Sequence, residues 1–496
     1  MRWRVVILSV LLFLVMLPQS RRFGIDAASG RPNIIIVLTD DQGYGDVGRH
    51  GNPILRTPNI DRMHDESVRF TDFHVSPTCA PTRSAILSGR HDFRNGITHT
   101  IYERERMSLR TVTLAEVLRS AGYRTGIFGK WHLGDEPEYR PNRRGFDETF
   151  IHGCGGIGQS YPGSCGDAPG NSYFDPVILH NGVFEATKGY CTDLFFGRAM
   201  EWIRGVKDDG SGRPFLAMIT PNAPHTPLQV PEEYEKLYAG KVPVNTAKYF
   251  GMVHNIDQNL GRLLGMLAEE KIERETLVIF MNDNGGTGGV EVWNAGMRGA
   301  KNTPYLGGTR AISFWRWPGR LKPGATDALT AHVDILPTLA ELAGAKLTTQ
   351  VRGQIEGRSL VPLLKNPQAR WADRVFVRHI GRWPMGADPR NFKYTQVGVR
   401  NKRWHLVNDS RDNRRNWELY DLATDPGERD NVISSHPEVG RMLEAEYDKW
   451  WEEVQPLLVN EKATPPAVNP YHTEYWQQFR GPGPNNIPPG SSKARP

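Results

Sequence analysis

The chain has 496 residues, 39% of them hydrophobic and 23% charged, and its formal net charge is +6. The length excludes a single small domain and predicts two or three structural units, and the composition is typical of a soluble globular protein. The mildly basic net charge is consistent either with an anionic substrate or with a charged surface that keeps the protein in solution. Because the sequence contains no long Lys/Arg run like those of nucleic-acid-binding tails, we expect no nucleic-acid partner.

The first residues have the pattern of a secretory signal peptide. A basic start, MRWR, precedes an apolar run at residues 5–17, and small side chains follow at residues 27–29. The apolar run is short for a bilayer span, so an uncleaved anchor is the alternative. We expect residues 1–29 to be a signal peptide. The mature protein is then exported, to a periplasm or to the medium, without stable membrane insertion.

Export permits disulfide bonds, and the cysteine content allows one between neighbouring segments. Cys154, Cys165 and Cys191 lie close together in a glycine-rich part of the sequence. They allow one bridge and one leftover thiol, and the spacing leaves all three pairings open.

Short β-branched runs alternate with amphipathic helical stretches, which predicts an α/β fold with a parallel sheet. The predicted strands begin near residues 33, 125, 215 and 276. The first of them, NIIIVL, is apolar throughout, as expected when helices cover both faces of a sheet. Predicted helices follow Thr113, whose capping box with Glu116 marks a start, span 249–267, and begin at His332 with a break or kink near Pro337.

The composition of the sequence changes near residue 370, where short aromatic and charged runs replace the long apolar ones. We therefore expect a catalytic domain at 30–370 and a smaller C-terminal α+β subdomain with an antiparallel sheet at 371–475. The end of the chain, at 476–496, is rich in proline and glycine and is expected to be a loosely held tail.

Polar side chains follow each predicted strand. Since ligands bind beyond the carboxyl ends of parallel strands, we expect a site formed by Asp40, Asp41, Lys130, His132, His225, Asp283 and Asn284. Carboxylates packed this closely would repel one another without a cation, and oxygen donors favour calcium or magnesium over zinc. Taken alone, each of these features has a structural alternative. The Asp40–Asp41 pair could cap a helix or form a turn, and His225 could be a structural histidine between prolines. Lys301 could be a solvated lysine on a glycine-rich loop.

Cys79 lies at a predicted helix start in the segment SPTCAPTRSAILSGR. Pro81 suits the first turn of a helix, and the positive end of the helix dipole favours an anion or nucleophile there. One interpretation is a thiolate nucleophile with His132 or His225 as its base. The alternative is a buried apolar cysteine, which the flanking proline and threonines make a poor fit.

Two segments carry a resemblance to a known family. CAPTRSAILSGR resembles the sulfatase signature Cys-x-Pro-x-Arg with its Leu-Ser/Thr-Gly-Arg ending, and AGYRTGIFGKWHLG resembles the second signature of the same family. Four further segments occur in the expected order: RPNIIIVLTDDQGYGD, PNAPHTP, NDNGG and HVDILPTLAELAG. The chain is thus similar to formylglycine-dependent, arylsulfatase-like sulfatases of the alkaline phosphatase superfamily over roughly residues 31–475.

The resemblance implies a fold and a chemistry for Cys79. It implies a central, mostly parallel sheet flanked by helices. It also implies that a formylglycine-generating enzyme reads Cys-x-Pro-x-Arg and oxidises Cys79 to Cα-formylglycine. One hydroxyl of the hydrated aldehyde then attacks the sulfur of a sulfate ester. The other hydroxyl expels the sulfate as the aldehyde re-forms.

The resemblance also implies roles for the other site residues. It implies a Ca²⁺ ion held by five residues: Asp40, Asp41, modified Cys79, Asp283 and Asn284. Arg83 would position residue 79, and Lys130 and Lys301 would bind sulfate oxygens. His132 would be the base of the elimination, and His225 would bind sulfate or protonate the leaving oxygen, a role that Lys301 shares.

The sequence departs from the family pattern at two places. Many members carry Glu-Gly-Gly-x-Arg where this chain has LGGTR at residues 306–310, which puts the support of that loop in doubt. Asn282 replaces a commoner serine or threonine before Asp283. Neither departure affects the implied catalytic or metal-binding residues.

Three functions remain open on the sequence. The first is a sulfuric ester hydrolase acting on a sulfated small molecule or glycan, with aryl sulfates as laboratory substrates. The second is a phosphodiesterase or phosphonate monoester hydrolase of the same superfamily. The third is a non-catalytic protein that binds sulfated glycans, which the intact set of site residues disfavours.

Overall fold

The computed structural model describes residues 30–481. The predicted signal peptide and the part of the predicted tail after residue 481 lie outside these residues. Within the described range, no helix combines the length and the apolar character needed to cross a bilayer.

A ten-stranded sheet lies at the centre of the molecule, beside a two-stranded and a four-stranded sheet. The described strands are β1 (Asn33–Thr39), β2 (Val68–Phe70), β3 (Phe73–His74), β4 (Arg124–Lys130), β5 (Glu148–His152), β6 (Val177–His180), β7 (Val183–Ala186), β8 (Phe215–Thr220), β9 (Thr276–Asn282), β10 (Ser313–Arg316), β11 (Gly324–Thr326), β12 (Thr330–Ala331), β13 (Phe376–His379), β14 (Val397–Arg400), β15 (Trp404–Asn408) and β16 (Glu418–Asp421). The large sheet has the order β11-β2-β10-β9-β1-β8-β4-β5-β6-β7.

The middle of the large sheet is parallel. β9, β1, β8, β4 and β5 run in one direction, and antiparallel strands follow on both sides. Thr39 pairs with Asn282, and Gly129 pairs with Thr220, so the carboxyl ends of four strands are level with one another. The predicted α/β fold with a mostly parallel sheet is confirmed, and the register brings the residues after each strand to one edge.

The central strands are apolar on both faces because helices cover both faces. On β1, Ile34, Ile36 and Leu38 belong to one core, whereas Ile35 and Val37 belong to the other. This alternation follows from the two-residue repeat of a strand. The continuous apolar run in NIIIVL is therefore the expected signature of a strand buried on both sides.

Twelve α-helices surround the sheets in the described residues: α1 (Pro58–Asp65), α2 (Cys79–Ser88), α3 (Leu114–Ser120), α4 (Cys191–Asp208), α5 (Glu232–Lys236), α6 (Val244–Glu269), α7 (Leu306–Thr309), α8 (Ile335–Leu342), α9 (Thr349–Gln354), α10 (Val361–Lys365), α11 (Pro437–Val454) and α12 (Pro470–Phe479). The break expected near Pro337 is absent. α8 runs through this residue because Pro337 lies in its first turn, where a backbone N–H has no intrahelical acceptor.

The predicted capping box is present at the start of α3. Thr113 Oγ1 accepts a hydrogen bond from Glu116 N at 3.1 Å, and Thr113 N donates to Glu116 Oε2 at 2.7 Å. Thr113→Ala is expected to lower the free energy of unfolding by about 1 kcal/mol, because it leaves a helix N–H without its acceptor. Urea denaturation measures this. Thr113→Ser keeps the hydroxyl and is the control; an equal loss in both variants would contradict the capping role.

The four-stranded sheet of β13–β16 is antiparallel and packs against α11 with its own aromatic core. This arrangement confirms the smaller C-terminal unit with an antiparallel sheet. The predicted start of the tail at residue 476 falls inside α12. The helix continues there because Tyr471 is buried and Tyr475 packs against the core of the large sheet.

Candidate active site

The carboxyl edge of the parallel strands brings the predicted site residues together. Asp40 and Asp41 follow β1, and Asp283 and Asn284 follow its neighbour β9. Asp283 N donates to Thr39 O at 3.0 Å, and Asp41 N to Asp283 Oδ1 at 3.3 Å. None of the four residues is more than 3% exposed. The ends of two adjacent strands thus form one buried oxygen cluster.

Three cations face the three carboxylates of this cluster. Lys130 Nζ lies 2.5 Å from Asp40 Oδ2, and Lys301 Nζ lies 2.5 Å from Asp41 Oδ1. Arg83 donates from Nε and Nη2 to Asp283 Oδ2 at 3.1 and 2.8 Å. Since all six side chains are largely buried, these ion pairs are shielded from water and hold one another in place.

The carboxyl groups differ in their titration. Burial, together with the charge of Asp40, raises the pKa of Asp283 to about 6. Burial also raises the pKa of Asp40, although Lys130 opposes the shift. Burial also acts to raise the pKa of Asp41, but the charges of Lys301 and His225 outweigh burial, so the pKa of Asp41 is lowered. Desolvation thus disfavours the charged forms of Asp40 and Asp283, and a bound cation would offset that cost.

The oxygen cluster also contains unpaired acceptors. Asp40 Oδ1 and Asn284 Oδ1 are buried and have no hydrogen-bond partner in the described residues. Buried acceptors of this kind usually have a partner, and carboxylate and amide oxygens are the ligands of hard divalent cations. The residues present therefore fit such a cation.

Cys79 is the first residue of α2, and every residue of that helix is buried. The thiol side chain is only 3% exposed. The turn before it is tied to the loop that carries Lys301, because Asn302 N donates to Pro77 O at 3.1 Å, and Lys301 N donates to Gly286 O at 3.2 Å. The fold thus places residue 79 beside the oxygen cluster and the lysines, at the positive end of a helix.

His132 has a defined tautomer. Its Nε2 donates to Thr100 O at 2.7 Å, which leaves Nδ1 as a buried lone pair without a partner in the described residues. Burial, reinforced by Lys130, lowers the pKa of His132 well below its usual value. A Cβ at Gly155 would lie 2.6 Å from the imidazole, so only glycine allows this close approach. His132 is therefore a neutral proton acceptor.

His225 is held by its own loop. Its Nδ1 donates to Thr226 O at 2.6 Å, and its Nε2 lies 3.8 Å from Asp41 Oδ2. Tyr173 fixes the loop from outside by donating to His225 O at 2.6 Å. Burial lowers the pKa of His225 to about 3. The sequence-predicted site residues thus lie together at the carboxyl edge of the sheet.

The two departures from the family pattern have structural explanations. Asn282 donates to Asn284 O at 2.8 Å and accepts from Ile312 N at 2.6 Å, so it links the oxygen cluster to β10. Where many members have glutamate, Leu306 N donates instead to Glu428 Oε2 at 2.7 Å. Glu428, a residue of the C-terminal unit, thus holds the start of this loop.

Sequence reasoning missed Thr100, Tyr161 and Arg382. Thr100 O orients His132, and the charge of Arg382 interacts with Cys79 and Asp41. Tyr161 lies on the loop closed by the disulfide between Cys154 and Cys165, and its ionisation responds to the charges of Cys79 and Arg382. No local sequence pattern marks these three residues, because each lies on a loop and not directly after one of the predicted parallel strands.

Comparison with known proteins decides the family. The sulfatase family profile matches residues 32–345. The chain belongs to the sulfatase family. A second profile, the C-terminal region of N-sulphoglucosamine sulphohydrolase, matches residues 305–452 of this sulfatase. The prediction of a sulfuric ester hydrolase is confirmed at the level of the family.

Relatives of this sulfatase are similar over different shares of their length. Bovine arylsulfatase A is 32% identical over 460 residues, which is 83% of this chain and 85% of the relative. Human arylsulfatase A is 33% identical over 68% of each chain. Mouse arylsulfatase J is 30% identical, and the matched part spans 67% of this chain but about half of the relative, 55%.

Solved structures share the fold of this sulfatase. The crystal structure of Ps i-CgsB in complex with k-i-k-neocarrahexaose has a TM-score of 0.75 and 26% identity, covering 91% of this chain and 98% of the other. A phosphonate monoester hydrolase of Agrobacterium radiobacter has a TM-score of 0.58 at 19% identity, covering 87% and 96%, and shows similarity of fold alone.

Proposed function

We propose that this sulfatase hydrolyses sulfate esters of carbohydrates, with Cys79 converted to Cα-formylglycine and with Ca²⁺ bound by Asp40, Asp41, Asp283 and Asn284 together with residue 79. The single observation that supports this most strongly is the position of Cys79. It starts a buried helix beside three carboxylates and three cations, within a chain of the sulfatase family.

The proposed groups supply two kinds of chemistry. Hydrated formylglycine supplies a hydroxyl nucleophile, and Ca²⁺ supplies a Lewis acid that polarises the sulfate. Asp40 Oδ1 and Asn284 Oδ1, the unpaired acceptors, are the oxygens we assign to the ion. The net reaction breaks the ester linkage and adds water, which yields an alcohol and sulfate.

Lys130 and Lys301 bind the sulfate oxygens and stabilise the charge that develops on them. Burial acts to lower the pKa of Lys301, but Asp41 outweighs burial and raises it, so the ammonium stays charged. We assign Lys301 as a donor to the leaving oxygen, a role that His225 shares. The Nδ1–H of His225 is held by Thr226 O. To bind a sulfate oxygen, Nε2 must also carry a proton, so we assign His225 to the sulfate as the imidazolium, the form that a bound anion favours.

His132 accepts the proton when sulfate is released. Its Nδ1 lone pair is free and its Nε2–H is held by Thr100, so proton transfer needs no ring rotation. Arg83 is a positioning residue, because its guanidinium donates both to Asp283 Oδ2 and, at 3.1 Å, to the backbone carbonyl of Lys130. The formylglycine-generating enzyme is the maturation partner that this proposal requires, and export is the proposed location.

Hydrolysis of 4-nitrophenyl sulfate is expected to exceed that of bis(4-nitrophenyl) phosphate by roughly 100-fold in kcat/KM. A phosphodiester carries a second aryl group, which would lie where the two lysines and His225 contact sulfate oxygens. Parallel assays of both compounds with one preparation make the comparison. Faster hydrolysis of the phosphodiester would favour the alternative, a phosphodiesterase or phosphonate monoester hydrolase.

A further inference from the structure

Arg382 is a half-buried cation without an acidic partner. Its Nη2 donates to Thr100 Oγ1 at 2.9 Å, and its buried Nε has no partner. Nearby arginines of the described chain differ, since Arg104 pairs with Glu461 and Arg140 pairs with Glu474. Among residues 30–481, no carboxylate forms an ion pair with Arg382. A guanidinium in this state has hydrogen-bond donors available for a ligand.

The free guanidinium belongs to the wall of the active site. Thr100 links the two, because its hydroxyl accepts from Arg382 while its carbonyl accepts from His132 Nε2 at 2.7 Å. Burial lowers the pKa of Arg382, and the charges of Cys79 and Asp41 oppose that shift. Thr100 alone thus separates Arg382 from His132, the proposed proton acceptor.

The backbone around Arg382 is rigid. Arg382 N donates to Thr98 O at 2.9 Å, and a Cβ at Gly381 would lie 2.1 Å from the same carbonyl. Trp383 is clamped on the other side, where its Nε1 donates to Glu461 Oε2 at 2.6 Å and its carbonyl accepts from Arg104 at 2.8 Å.

Arg382 itself has a φ of 59°. A non-glycine residue in this region costs of order 1–3 kcal/mol, and such residues cluster at functional sites. The backbone therefore presents this side chain in one orientation at an energetic cost.

Tyr161 is a second residue whose charge is coupled to Arg382. Tyr161 lies on the loop closed by the disulfide between Cys154 and Cys165, with its backbone N donating to Cys165 O at 2.9 Å. Burial raises the pKa of Tyr161, Cys79 acts in the same direction, and Arg382 and Lys301 oppose it. The phenol of Tyr161 and the guanidinium of Arg382 thus act on each other's charge, on the side of the site where Thr100 lies.

We propose that Arg382 binds a second anionic group of the substrate, a carboxylate or a second sulfate, so that this enzyme selects sulfated saccharides with at least two negative charges. The proposal rests on the proposed function, because it places the first sulfate on Lys130 and Lys301. The planar fork of a guanidinium matches a carboxylate or sulfate edge and forms charge-assisted hydrogen bonds with it.

Three chromogenic esters test this assignment: 3-carboxy-4-nitrophenyl sulfate, its 3-sulfo analogue, and the methyl ester of the carboxylate, whose only charge is that of the sulfate. In the native enzyme we expect kcat/KM for one or both charged esters to exceed that for the methyl ester by roughly tenfold. The two charged arms distinguish a carboxylate from a sulfate-like group. In Arg382→Gln, kcat/KM for the esters with a second charge, divided by kcat/KM for the methyl ester, is expected to fall to about one.

Two control variants separate the subsite from general electrostatics. Arg382→Lys keeps the charge without the fork and is expected to show an intermediate ratio. Arg390→Gln removes an exposed charge of the C-terminal unit and is expected to keep the native ratio.

An unchanged ratio in Arg382→Gln, or a native ratio of one or less, would overturn the subsite. A native enzyme with formylglycine at residue 79 that cleaves none of the three esters would overturn sulfate ester hydrolysis itself, and the subsite with it.

Discussion

Cys79→Ala is expected to lower kcat on 4-nitrophenyl sulfate by at least roughly four orders of magnitude. Residue 79 is the nucleophile of the proposed mechanism, and it is the first residue of α2. Binding of the sulfate by Lys130 and Lys301 should survive, so the loss should appear in kcat. Steady-state kinetics with purified protein measures it.

Cys191→Ala is the matched control for this substitution. Cys191 is the other free, buried cysteine of the described chain, and it lies in α4 away from the oxygen cluster. Its loss should leave kcat within about twofold, as expected for a residue outside the active site. Mass spectrometry of the Cys79 peptide from active enzyme should find formylglycine, which is lighter than cysteine. Active enzyme with only unmodified Cys79 would refute the mechanism.

Removal of divalent cations with a chelator is expected to lower activity by at least roughly 100-fold and to lower Tm by about 5 °C. The carboxylates of Asp40, Asp41 and Asp283 are buried together, and burial raises the pKa of Asp40 and Asp283. A bound cation relieves that cost in the folded state only, so its removal destabilises the fold. Differential scanning calorimetry and assays before and after adding Ca²⁺ measure both effects.

Asp283→Ala and Asp257→Ala make a matched pair for this experiment. Asp283 belongs to the oxygen cluster, whereas Asp257 on α6 accepts from Asn59 N and Ile60 N at 2.9 and 2.7 Å. Both variants lose a buried carboxylate and should be less stable. Only Asp283→Ala should raise the Ca²⁺ concentration needed for reactivation, by roughly tenfold or more. Full activity of enzyme shown to be metal-free would exclude the proposed ion.

Much of the fold and of the candidate site follows from local sequence patterns. The apolar run in NIIIVL requires burial on both faces, and this requirement leads to a parallel sheet between two helical layers. Polar residues directly after parallel strands must meet at one edge, and Asp40 and Asp283 do so because Thr39 pairs with Asn282. The start of α2 at Cys79 and the capping box of α3 are equally local.

Other features depend on contacts between distant segments. The disulfide joins Cys154 to Cys165, although the spacing allowed three pairings, because only these two thiols meet when the loop folds. Leu306 N donates to Glu428, a residue 122 positions later in the chain. Pro337 lies in the first turn of α8, a position that depends on where the helix begins.

Local sequence patterns predict the residue types of the candidate site: a cysteine at a helix start, and carboxylates, lysines and histidines at strand ends. The protonation and hydrogen bonding of these groups depend on the folded chain. The tautomer of His132 depends on Thr100, and the free guanidinium of Arg382 reaches the pocket because the C-terminal unit packs against the loop around Thr98. Local patterns record propensity and burial, whereas hydrogen bonds and charges inside a pocket arise from segments that meet only after folding.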